Sequence, residues 1–203
     1  MLAAFTASLL LITVSELGDK TFFIAAILAM RHARRWVCVG AVLALALMTV
    51  LSVLVGQVAT FLPANVLQWA EVCLFFLFGV KLLYEASQMT PIDDHAEEKE
   101  AVEAVEKVES GGFQKETPVA IVAEAFGLVF VAEWGDRTQI ATIALAAANP
   151  PVGVVAGAVL GHAICAVIAV FCGRWLCGRL SERTLTALGG GLFIVFALLA
   201  IGL

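Results

Sequence analysis

Six residues, Glu16-Leu-Gly-Asp-Lys-Thr21, return later in the chain as Glu133-Trp-Gly-Asp-Arg-Thr138, and each copy sits inside a long apolar segment. Ionised side chains at such depth cost roughly 2.5–3.5 kcal/mol apiece on insertion scales, so charges placed there read as a functional site. Sliding the chain by 117 residues superposes Glu16, Gly18, Asp19 and Thr21 on Glu133, Gly135, Asp136 and Thr138 without a gap. The same offset pairs Gly40-Ala-Val-Leu43 with Gly157-Ala-Val-Leu160, and Gly56 with Gly173, which marks a duplication.

The duplicated unit belongs in a membrane. The chain is 62% hydrophobic and only 14% charged, with a mean hydropathy of +0.99, outside the range of a soluble domain. A hydrocarbon core of about 30 Å needs about 20 apolar residues per helix. Segments of that kind fall at 2–30, 36–60, 66–88, 118–148, 152–173 and 185–203. The expected fold is an all-α integral membrane protein of six transmembrane helices. It divides into a first three-helix repeat at 1–90, an acidic linker at 91–117 and a second repeat at 118–203. Three is an odd number of spans, so the second repeat enters the bilayer inverted relative to the first, a recurring transporter plan with its site at the repeat interface. The N-terminus lacks a positive n-region and a small-residue cleavage site, and reads as the first membrane helix.

Charge sets the orientation. Of the twelve Lys and Arg residues, all but Lys20 and Arg137 fall on one side of a six-span chain: Arg31, Arg34 and Arg35; Lys81, Lys99, Lys107 and Lys115; Arg174, Arg179 and Arg183. The opposite loops, Leu62-Pro-Ala-Asn65 and Asn149-Pro-Pro151, carry no charge. By the positive-inside rule the clusters are cytoplasmic and both termini lie outside. Residues 93–116 hold nine acids against three lysines. The linker reads as a solvated connector, with Val102, Val105 and Val108 hinting at a short amphipathic helix, or as a cation-concentrating mouth.

On a helix, residues three and four apart share a face, so Glu16 lies near Asp19 and Lys20, and Glu133 near Asp136 and Arg137. One carboxylate of each motif then pairs with its own base, and the two motifs together hold −2, which one divalent cation or two protons would neutralise. Gly18 and Gly135 leave open that both helices are broken there. Carboxylates helped by the Thr21 and Thr138 hydroxyls, Gln139 or unwound backbone carbonyls suit Ca²⁺, Mn²⁺ or Mg²⁺, whereas zinc or copper sites call for His or Cys. Neither motif has either, and Mn²⁺ and Ca²⁺ lead.

Side chains beyond the motifs read as architecture. His162 pairs with Leu45 in the repeat and is expected to be a hydrogen-bonded packing residue rather than a proton relay. Glu124 lies on a possible access path, and Glu71 and Glu85 near the ends of helix three reach water. The five cysteines form no CxxC pair and read as packing. Gly153, Gly157 and Gly161, with Gly40 and Ala44, let helices approach closely. Glycines 189–191 read as a hinge or a loose helix start.

A doubled Glu-x-Gly-Asp-(Lys/Arg)-(Thr/Ser) signature in six spans with an acidic central loop closely resembles the Gdt-type family of manganese/calcium transporters. Every motif position matches: Glu16, Gly18, Asp19, Lys20 and Thr21; Glu133, Gly135, Asp136, Arg137 and Thr138. The resemblance implies cation:proton antiport that exports Mn²⁺, and in some members Ca²⁺, from the cytosol. It implies Glu16, Asp19, Glu133 and Asp136 as metal ligands, with Lys20 and Arg137 holding the empty site near neutrality and Gln139 among the supporting residues. The short chain looks like a bacterial member, which implies the inner membrane. No cofactor is expected, since the metal is cargo, and no nucleic-acid partner; the partners are the cation, H⁺ and the lipid bilayer. An exporter of small cationic organic solutes such as basic amino acids is the alternative. With no HExxH, no nucleophile beside a histidine and no cofactor loop, an enzyme is not expected.

Overall fold

The structure, a computed structural model, describes residues 1–90, 95–110 and 117–201. The linker positions Pro91, Gly111, Gly112 and Lys115 lie outside the described residues. In chain order the helices are α1 (Leu2–Glu16), α2 (Lys20–Arg31), α3 (Arg34–Val58), α4 (Ala64–Gln88), α5 (Ala96–Ser110), α6 (Pro118–Ala132), α7 (Arg137–Ala148), α8 (Pro151–Leu176) and α9 (Glu182–Ile201), with a 3₁₀ turn at Ala59–Phe61. No strand occurs among the described residues.

Four unbroken helices, α3, α4, α8 and α9, are long and apolar enough to cross a membrane, and the bent pairs α1–α2 and α6–α7 make six spans if each pair is one. Both breaks fall at the motifs. The pairs bend by 64° and 75° around Gly18 at φ 77° and Gly135 at φ 84°, a left-handed conformation that strains any residue with a Cβ. Each second half-helix restarts on its aspartate: Asp19 is the N-cap of α2 and Asp136 that of α7, where its side chain accepts from the Thr138 backbone N–H at 3.1 Å.

Helix α2 is buried on every face from Thr21 to Ala29, which makes it the axis of the molecule. Helices α4 and α9 are peripheral, and α9 turns Val195, Leu198 and Leu199 outward while α4 turns out Phe76, Leu77 and Val80. That much exposed apolar surface requires lipid. Packing follows the duplication: α1 lies on α8 as α6 lies on α3, α2 on α8 as α7 on α3, and α4 pairs with α9. The exchange is incomplete. α4 packs on α7 and α9 on α1, but among the described residues α9 makes no comparable contact with α2, nor α4 with α6.

Glycines carry the close approaches. Gly157 faces Ser8 and the Phe5 carbonyl of α1, and its repeat partner Gly40 faces the Val122 carbonyl and Ala125 of α6. Gly190 sits inside α9 against Leu82 and Leu83 of α4, whereas a methyl at Gly189 or Gly191 would meet nothing within 4 Å, so the 189–191 run is not a loose helix start and its middle glycine is a packing contact. Gly157→Ala is expected to lower stability by about 1–3 kcal/mol, because the added methyl meets a backbone oxygen that cannot move aside. Gly127→Ala, on α6 where nothing lies within 4 Å, should be neutral or stabilising by up to about 1 kcal/mol. Thermal unfolding in detergent distinguishes the two signs.

The linker is not simply a solvated connector. α5 packs along α2, burying Ala101 and Val105 completely. Ion pairs run its length: Lys20 Nζ to Glu100 Oε2 at 2.9 Å near its start, and Arg31 to Glu106 at 3.7 Å and to Glu109 near its end. Its N-terminus is capped by Glu182 of α9, whose carboxylate accepts from the Glu97 and Glu98 N–H groups at 3.2 Å each.

Candidate metal centre

The two breaks meet at the middle of the molecule, where the C-terminal ends of α1 and α6 carry Glu16 and Glu133. Partial negative charge at helix C-termini favours a cation between them. Both glutamates are 2% exposed. Each is held by the threonine five residues on: Thr21 Oγ1 lies 3.1 Å from Glu16 Oε2, and Thr138 Oγ1 lies 2.8 Å from Glu133 Oε1. The outer oxygens, Glu16 Oε1 and Glu133 Oε2, have no hydrogen-bond partner, and neither has His162 Nδ1.

Those groups converge. One ligand atom each from Glu16, Glu133 and His162 lies within 4.8 Å of the other two. A buried polar atom left without a partner costs about 1–3 kcal/mol, and more when charged, so three such groups around one point fit a bound cation. His162 is 4% exposed, and the hydrogen bond expected of a packing residue is absent at its Nδ1. The signal that places it is the small-residue face of α8. Ala158, His162 and Cys165 share that buried face, and Cys165 donates to the Thr13 carbonyl at 3.3 Å, one turn before Glu16.

The aspartates take other partners. Asp19 Oδ1 receives Arg137 Nη2 of the opposite motif at 2.6 Å, and Asp136 Oδ2 lies 3.1 Å from the Thr138 hydroxyl as well as capping α7. Lys20 points away to Glu100. The expected pairing of each motif with its own base therefore fails, because the break at each glycine destroys the helical phase that would stack residue 16 on 20 and residue 133 on 137. Four carboxylates then face the single guanidinium of Arg137, a formal −3 instead of −2, so one divalent cation no longer balances the centre alone. Gln139 is a brace: its Oε1 accepts from the Gly135 N–H at 2.7 Å and its Nε2 reaches Met48 Sδ at 3.1 Å.

Space is scarce at the centre. A cavity of about 10 Å³ adjoins Glu16, lined by Thr21, Phe22, Ala41, Leu45 and Cys165. A second, of about 70 Å³, runs from Ser15, Gly18 and Arg137 toward Glu97 and Glu182 on the linker side. On the opposite side Glu71, expected in water, is 5% exposed and accepts from Asn149 Nδ2 at 3.2 Å. It is buried because the inner face of α4 packs on the end of α7.

With this geometry in hand, comparison with known proteins is decisive. The family described as divalent cation/proton antiporter GDT1 matches residues 4–90 and 121–202. The chain belongs to the GDT1 family. A GDT1-like protein of Synechocystis is 58% identical over 98% of this chain and 97% of its own length. GDT1-like protein 3 of rice is 44% identical over 96% of this chain and 72% of its own. The chloroplastic PAM71 homologue of Arabidopsis thaliana is 40% identical over 96% of this chain, which spans 58% of that protein. No solved structure matches. Membership of GDT1 makes the chain a multi-pass membrane protein and a transporter of the cation/proton antiporter class, not an enzyme. The cation is cargo, and no cofactor is indicated.

Glu97, outside the spans, is a further acid that senses the centre. Burial pushes its carboxyl up to about 7, aided by the Asp19, Glu100 and Glu182 carboxylates and opposed by Arg137. An acid whose folded value is raised favours the docked helix fully below its ordinary value of 4.5, and that contribution fades as pH rises through about 7. A spin label at Glu103→Cys on α5 should therefore gain mobility as pH rises from about 4.5 to about 7, a change that Glu97→Gln removes.

Proposed function

We propose that this chain exports Mn²⁺ from the cytoplasm in exchange for H⁺, with Ca²⁺ as a weaker cargo, through the centre between its two Glu-x-Gly-Asp motifs. Glu16, Glu133 and His162 bind the ion, and Asp19 and Asp136 flank it and share the proton load. The observation that carries this reading is the convergence of three buried residues, each with one polar atom that has no hydrogen-bond partner. An imidazole among carboxylates favours a first-row transition ion over Ca²⁺, which prefers oxygen alone, while the oxygen-rich remainder keeps Mn²⁺ ahead of softer metals. A cavity of about 10 Å³ beside Glu16 has room for no more than about one water, which counts against a cationic organic solute.

In this reading residues 1–90 and 118–203 are inverted repeats joined by the linker. The matched packing of α1 on α8 and α6 on α3 supports it. So does the incomplete exchange: α4 packs on α7 and α9 on α1, with no comparable contact of α9 with α2 or of α4 with α6 among the described residues, as one of two alternating states would. The charge distribution supports a cytoplasmic linker with both termini outside, and a bacterial inner membrane suits the 58% identity to the Synechocystis protein.

Proteoliposomes with an imposed pH gradient test the proposal. Mn²⁺ should move against its own gradient, with Ca²⁺ slower and arginine or lysine not at all. Movement of basic amino acids, or indifference of Mn²⁺ flux to the pH gradient, would overturn it.

A further inference from the structure

Outside the centre, a second constellation joins three helices at positions that the motifs do not use. His32 follows the last turn of α2, Glu109 lies in the last turn of α5, and Glu124 sits two turns into α6. His32 Nε2 is 3.5 Å from Glu109 Oε1 and 3.7 Å from Glu124 Oε2, and one ligand atom from each residue lies within 4.8 Å of the others. Both approaches to the histidine are too long for hydrogen bonds, and His32 Nε2 is a buried atom with no hydrogen-bond partner. The Glu124 side chain is only 2% exposed, and its Oε1 is likewise unpartnered.

From these observations we propose a second divalent-cation site, formed by His32, Glu109 and Glu124, that clips α5 to α2 and α6. Two ligands bonded at about 2.1 Å to one metal stand about 3.0–3.5 Å apart, close to the separations from His32 to each glutamate, so binding needs only a small contraction. One imidazole and two carboxylates select a first-row transition ion over Mg²⁺ or Ca²⁺. The ion replaces the missing hydrogen bonds and balances two carboxylates. Arg31 holds Glu109 through its other oxygen, Oε2, and leaves Oε1 to the site. The repeat positions of His32 and Glu124 are Asn149 and Ala7, so this site has no copy in the other half and lies outside the duplicated transport machinery. Its occupancy would fasten the helix whose Glu97 and Glu100 stand over the transport centre. The site stands on its own geometry and does not require that the central site carry Mn²⁺.

Co²⁺ is the probe, because its visible bands report imidazole and carboxylate ligation. Purified full-length protein in detergent, titrated with Co²⁺, should bind one more ion per chain than Glu124→Gln or His32→Gln protein, each substitution weakening the site at least tenfold. In Glu16→Gln/Glu133→Gln protein the site should persist, saturable and sensitive to Glu124→Gln. His32 is partly exposed, so its substitution leaves the fold intact and keeps the test decisive even if Glu124→Gln is unstable. Equal stoichiometry in wild type and His32→Gln, or no saturable binding once the central glutamates are replaced, would overturn the proposal.

Discussion

Glu133→Gln, and equally Glu16→Gln, is expected to cut Mn²⁺ transport on the order of a hundredfold or more while leaving the protein as stable as wild type or more so. The two halves of this result come from one observation. Each glutamate is 2% exposed, its hydrogen-bonding neighbour is a neutral threonine hydroxyl, and no basic side chain pairs with it among the described residues. An ionised carboxylate buried without a cation is costly. Glutamine keeps the shape and the acceptor for Thr138 or Thr21 and removes that cost, but it can neither balance a divalent ion nor take up and release a proton. A glutamate kept for the fold would behave oppositely, and its amide would lower the unfolding temperature. Thermal unfolding and flux measured on one preparation separate the two cases.

Arg137→Gln should do the reverse, with its main effect on stability. It strips the partner from Asp19, whose side chain is 10% exposed, and breaking a buried pair from one side costs about 3–5 kcal/mol. The partial exposure of Arg137, at 27%, places the expected loss near the lower end, about 3 kcal/mol. Asp19→Asn/Arg137→Gln should recover most of it, since replacing both members removes the unpaired charge. Lys20 occupies the same motif position in the first repeat, yet its ion pair with Glu100 is exposed, at 33% and 60%. Lys20→Gln should cost about 0–1 kcal/mol. Sequence symmetry predicts equal effects at the two bases; the geometry predicts a difference of about 2 kcal/mol or more, and a double-mutant cycle on Asp19 and Arg137 measures it.

Much of this architecture was legible from hydropathy and the offset repeat, because the bilayer forces long apolar helices and the duplication locates their counterparts. The segments at 2–30 and 118–148 correspond to α1–α2 and α6–α7, and Gly18 and Gly135 mark where both bend. Partner choice within the motifs was not legible. Spacing rules for a continuous helix put Lys20 on Glu16 and Arg137 on Glu133, and the bend redirects one base to the linker and the other across to Asp19. His162 escaped because its repeat position is Leu45, so symmetry hid a residue that one half alone contributes. The valine spacing at 102, 105 and 108 did point to helix α5, but the burial of Glu71 and the docking of α5 escaped for a related reason. Both depend on which elements pack over these residues, Asn149 at the end of α7 in one case and α2 in the other, and no local pattern carries that information.

The central claim is that the transported ion rests between Glu16, Glu133 and His162. Anomalous diffraction at the manganese edge, from crystals of transport-competent protein equilibrated with Mn²⁺, locates the ion directly. The account predicts a peak within bonding distance of both glutamates and the histidine, lost in Glu133→Gln crystals. A peak confined to the linker side, with none at that centre in protein that still transports Mn²⁺, would contradict it.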